Sequence, residues 1–178
     1  SALSISGGVL VARSFGSGDM EKVRRQISTL FFSALFIGGA ILAITIPLMY
    51  PILRLLGMSE ELLFKGTVYS SLVVVSVIFQ FVNQIFFAVQ KSRGSTKIIM
   101  WGNLLVLFIK TSLNITTIRL IENGVLEREN GIYFLPIASI AAHFALTIIA
   151  LAKMTSKKNP FRLSLRETEF KKTFLAPL

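Results

Sequence analysis

A lysine and an asparagine stand one helical turn apart inside the apolar run 98–121, IIMWGNLLVLFIKTSLNITTIRLI. The ammonium of Lys110 falls near the middle of that run, where a charge costs about 3 kcal/mol or more in a bilayer. A cation kept at that cost points to ion pairing, proton transfer or substrate binding; the plain alternative is a lysine that lines a wet cavity or snorkels. Upstream, Ser76, Gln80, Asn83 and Gln84 recur at i, i+4, i+7 and i+8, which places four polar groups on one helix face. In hydrocarbon such a face must turn toward water or other helices. It therefore either lines a cavity and hydrogen-bonds substrate, or bonds across to neighbouring helices. His143 stands near the centre of the last apolar run with no histidine, cysteine or acid nearby in sequence. That isolation favours a hydrogen-bonded interior residue over a proton relay and counts against a metal site there. One histidine, nine acids and no cysteine leave little for covalent catalysis, so no enzyme activity, metal or cofactor is expected.

The elements that must position these residues are membrane helices. The 178 residues are 53% hydrophobic and 16% charged, with a mean hydropathy of +0.69, too apolar for a soluble domain of this size. The chain divides into the end of a membrane helix (1–12), a charged loop (13–26) and four spans at 27–49, 62–90, 98–121 and 131–152. A basic, partly amphipathic linker follows at 153–178, with apolar residues interleaved among charges. Gly38 and Gly39 allow close approach of a neighbouring helix, and Pro47 and Pro51 kink or end the first span. Asp19 and Ser59 are placed to cap the helices that follow them. The Asn114-Ile-Thr116 sequon lies too deep for glycosylation, and Trp101 suits the membrane interface.

The net charge of +10 is not a nucleic-acid signature, because the basic residues sit between apolar runs. Assigned to alternate sides, the loops and the tail carry fourteen basic residues on one side and four on the other, with Lys110 left between. The positive-inside rule makes the first side cytoplasmic and supports four spans. The tail is expected to anchor at anionic membrane lipid.

Three segments resemble the multidrug and toxic compound extrusion (MATE) family: VARSFGSGDMEKVRR, AVQKSRGSTKIIMWGNLL and GIYFLPIASIAAH. They are similar to that family's loop after its second helix, the passage between its fourth and fifth helices, and the start of its sixth. The resemblance implies an all-α, polytopic membrane helix bundle, part of the amino-terminal lobe of a twelve-helix exporter with two lobes. On that reading the chain is an internal fragment, without the first helix and its acidic residue and without the carboxy-terminal lobe. The implied activity is secondary active export of small organic, often cationic, compounds in exchange for Na⁺ or H⁺ across the cell membrane. An asparagine and an aspartate in the family's fifth helix fall on Lys110 and Asn114, counted from Thr96 and Lys97. A hydroxyl of its sixth helix falls on Ser139, and a commonly basic position on His143. The resemblance thus makes Lys110 a replacement for the bound cation, pairing with the acid of the first helix, or a proton carrier. Ser139 either joins that network or bonds back to its own helix. A lipid-linked oligosaccharide flippase of the same superfamily is the alternative, though its diphosphate calls for several mid-membrane cations. A non-transporting membrane scaffold is the third reading, against which the polar face and Lys110 both stand.

Overall fold

Hydrocarbon offers no partner for a backbone N–H or C=O, so an apolar chain of this kind satisfies its backbone within helices. The computed structural model describes residues 2–155, and these form five helices and no strand. They are α1 (Ala2–Gly16), α2 (Met20–Leu55), α3 (Glu60–Ser92), α4 (Thr96–Glu122) and α5 (Arg128–Thr155). Four of them, α2 to α5, are long and apolar enough to cross a membrane. The basic linker expected beyond residue 155 lies outside the described residues.

The helices overrun the boundaries read from hydropathy. Residues 13–26 are not a loop: α1 continues to Gly16 and α2 begins at Met20. The polar start of α2 is a good helix in its own right. Asp19 caps it by accepting the Lys22 N–H at 3.0 Å, and Glu21 pairs with Arg25 one turn on at 2.5 Å. Pro47 and Pro51 do not end α2, which runs to Leu55. Each proline removes one backbone bond, a loss that membrane helices accommodate by small local adjustments. At the other boundaries the helices begin two or three residues earlier and end one to three residues later than the spans at 62–90, 98–121 and 131–152. Polar residues flanking an apolar run carry no reason to stop hydrogen-bonding along the helix.

What does stop the helices is glycine. All four connections hold a glycine in the left-handed region: Gly18, Gly57, Gly94 and Gly124, with φ between 67° and 80°. After α2, Gly57 donates to the Arg54 carbonyl and Met58 to Leu53 at 3.1 and 3.2 Å, the paired bonds of a Schellman cap. The same pair closes α3, from Gly94 to Lys91 and from Ser95 to Gln90.

The side chains pack in two compact units. Among the described residues the first comprises 2–37, Phe81–Trp101 and 147–155; the second comprises Gly38–Gln80 and Gly102–Leu146. Most of the buried apolar side chains belong to the first, among them Val11, Ile27, Phe31, Ile85, Phe86 and Met154. Gly7 and Gly8 face Leu30 and Ala88 there, and α1 meets α2 and α3 along an apolar slot that also holds Val11, Ile85 and Val89. The second unit buries little more than Met49, Leu63, Ala138, Ala142 and Leu146 among its apolar residues. Its close approaches are Gly38 against Ile78 and Gly131 against Ile121, and Phe79 meets Phe144 edge-on with ring centroids 5.5 Å apart. Only Gly102 and Thr117 are buried along α4.

Charge follows the same division. Among the described residues the first unit holds eight basic side chains and two acids, Asp19 and Glu21. The second is balanced, five basic residues against five glutamates. Lys65 of α3 pairs there with Glu129 of α5, an exposed link that salt screens.

Replacing Gly57 by alanine forces a Cβ into the left-handed region and costs about 1–2 kcal/mol. Gly39→Ala, inside α2 and facing open space, is the control, neutral or slightly stabilising by about 0.5–1 kcal/mol. Thermal unfolding of the full-length protein in detergent distinguishes the two.

Candidate functional site

The second unit collects Lys110 and Asn114 from α4 with Ser139 and His143 from α5. Each pair is spaced i, i+4, so each helix presents both of its residues on one face. Lys110 is half-buried and has no ion-pair partner among the described residues. His143, also half-buried, lies within reach of the Lys110 ammonium's field, so α4 and α5 bring a cation and an imidazole near one another. The Asn114 side-chain oxygen is shielded from solvent and accepts no hydrogen bond from the described residues. A shielded acceptor without a donor costs about 1–3 kcal/mol, so Asn114 is a ready acceptor for a donor or cation supplied from elsewhere.

Ser139 takes the plainer of its two readings. Its hydroxyl donates to the Leu135 carbonyl of its own helix at 3.2 Å. Thr117, one of the two buried residues of α4, does the same with Leu113 at 2.9 Å. Such bonds satisfy a hydroxyl in hydrocarbon without a neighbour.

The polar face of α3 is divided. Ser76 is buried and bonds to the Val73 carbonyl at 2.7 Å, whereas Gln80, in the second unit, is exposed. Asn83 and Gln84 belong to the first unit, and only Gln84 is exposed. Asn83 is 2% exposed, and its side-chain oxygen accepts from the Thr147 hydroxyl of α5 at 3.0 Å. This is a helix-to-helix clasp, and for Asn83 it displaces the cavity-lining reading. Gln80 and Gln84 keep it.

Thr147 had a signal in the sequence. It follows Ser139 and His143 at i+8 and i+4, on the same face of α5. The start of α2 holds a stripe that hydropathy averaged away. Gln26, Thr29 and Ser33 share a face there, with Thr29 and Ser33 buried. The side-chain oxygens of Gln26, Ser33 and Gln90 are buried without a hydrogen-bond partner among the described residues. No group of three or more His, Cys, Asp or Glu suited to a metal occurs among the described residues.

Cysteine replacements separate the two roles on α3. Gln80→Cys and Gln84→Cys react with a water-soluble thiol reagent in the full-length protein, while Asn83→Cys is protected. A double-mutant cycle on Asn83→Ala and Thr147→Val gives a coupling of about 0.6 kcal/mol, the mean for hydrogen bonds between membrane helices.

Three solved structures superpose on 96% of this chain at 15% identity: an inward-facing multidrug resistance MATE family transporter of the MOP superfamily, a MATE mutant, and a MATE in a bent conformation, with TM-scores of 0.76, 0.78 and 0.77. The chain spans 37% of the length of each. No curated protein sequence matches it. The MatE family model matches residues 1–116, which takes in α1, α2, α3 and most of α4 with Lys110 and Asn114. On that match, and with the all-helical, multi-pass fold it accompanies, the chain belongs to the MatE family.

Proposed function

We propose that this chain is part of a secondary active transporter that exports small organic compounds in exchange for Na⁺ or H⁺ across the cell membrane. Membership of the MatE family supports the reading, and the single observation that carries it is Lys110. An ammonium at mid-span, without an acid partner among the described residues, is kept at a cost that packing does not repay. Its partner is an acid elsewhere in the protein or an anionic group of the cargo. In the first case the ammonium occupies the place of a bound cation, and Asn114 and His143 complete the polar set. The flippase reading gains less: among the described residues Lys110 is the one lysine or arginine in the middle of a span, where a diphosphate calls for several.

The test is dye efflux from vesicles containing the full-length protein, driven by an imposed Na⁺ or proton gradient. Lys110→Ala lowers gradient-driven efflux about tenfold or more, and Lys110→Arg, which keeps the charge but does not give up its proton, separates pairing from proton carriage. Unchanged, still gradient-dependent efflux in Lys110→Ala overturns the role given to Lys110. Absence of gradient-driven efflux in the unmodified protein overturns the transport reading.

A further inference from the structure

We infer that the turn between α3 and α4 is a docking site for the headgroup of an anionic phospholipid, held by Lys91 and Lys97 and seated by Trp101. The turn joins two spans and therefore lies at a membrane surface. Gly94, at φ 71°, reverses the chain within three residues, so Lys91 in the last turn of α3 and Lys97 in the first turn of α4 flank one tight connection. Both lysines are exposed, and neither has an acid partner among the described residues. No acid occurs anywhere in 62–121, so nothing nearby in sequence competes for them.

The other connections differ in this respect. After α2, Arg54 approaches Glu60 at 3.9 Å, with Glu61 beside it. The connection from α4 to α5 is bordered by Glu122, Glu127 and Glu129. The α1–α2 turn contains Asp19, with Glu21 just inside α2. Among the described turns, the α3–α4 turn alone is both basic and free of acid, and it belongs to the unit that carries the positive excess.

Trp101 identifies the occupant as a lipid rather than a free anion. It follows Lys97 by one helical turn and is 66% exposed, and Met100 beside it is 52% exposed. Four residues of helix rise about 6 Å, which separates a headgroup level from an interfacial level. Helical side chains lean toward the N-terminus, so the Lys97 ammonium reaches outward and the indole lies beneath it. An indole at that depth, polar edge outward and ring face against acyl chain, is the arrangement interfacial tryptophans adopt. Inorganic phosphate offers nothing to the indole or to Met100. The site lies on the basic side of the membrane, whatever the protein transports.

Native mass spectrometry of the full-length protein from micelles tests the assignment. Phosphatidylglycerol is retained in preference to phosphatidylcholine with the same acyl chains. The double substitution Lys91→Gln/Lys97→Gln lowers that retention about tenfold or more, as expected for two cations at an anionic surface. Lys91→Arg/Lys97→Arg restores it, and Arg54→Gln/Arg119→Gln leaves it unchanged. Trp101→Ala weakens retention of both lipids. Equal retention of the two lipids by the unmodified protein, or an unchanged preference in the glutamine variant, overturns the proposal. Displacement of phosphatidylglycerol by millimolar inorganic phosphate overturns it as well, by reducing the site to an anion site. An unchanged melting temperature in the glutamine variant shows that its loss reflects the headgroup contact and not the fold.

Discussion

A polar group in hydrocarbon has to find its partner inside the protein, and every level of this structure answers to that demand. The backbone answers it first, with five helices that continue through polar flanks and through two prolines. The helix ends answer it next, closing their last carbonyls with glycine-centred caps. Side chains answer it last and in two ways. Ser76, Thr117 and Ser139 fold back onto carbonyls of their own helices. Asn83 has two polar ends and one short stem, and it reaches across to Thr147.

The residues that do not meet the demand locally carry the functional argument. A hydroxyl can satisfy itself within its own turn of helix, so its presence in a span says little. An ammonium cannot, because it has three donors and no carbonyl one turn back can neutralise its charge. Lys110 therefore asks more of its surroundings than any other residue of α4. Asn114, one turn away, asks for the opposite, a donor for its shielded oxygen. Two such needs on one helix face, with His143 of α5 nearby, are the observations that the proposed function rests on.

The two packing units differ in how they meet their surroundings. The first has a core of branched and aromatic side chains that also buries polar ones, among them Thr29, Ser33, Asn83 and Gln90, and it carries the excess of basic residues. The second leaves most of its large apolar residues exposed, as helices do where lipid or further protein is the solvent. A fold of this kind tolerates wide sequence change, since lipid-facing positions need only be apolar. That explains how 15% identity accompanies superposition over 96% of the chain.

Much of this was legible without coordinates. Hydropathy and length determine four spans, because a helix of apolar residues is the one element that satisfies its backbone in a bilayer. The depth of Lys110 follows from its place in its run. The tertiary structure decided what periodicity could not. Ser76, Gln80, Asn83 and Gln84 share a helix face, yet a face about 100° wide meets more than one environment, and only the placement of α5 shows that Asn83 is clasped while Gln80 and Gln84 stay exposed. The same holds for residues 13–26, read as a loop from their charge. Charge measures affinity for water, whereas helix formation there depends on a cap and an i, i+4 pair. The nearness of Lys110 to His143 involves residues far apart in the chain, and that kind of proximity arises only when helices pack.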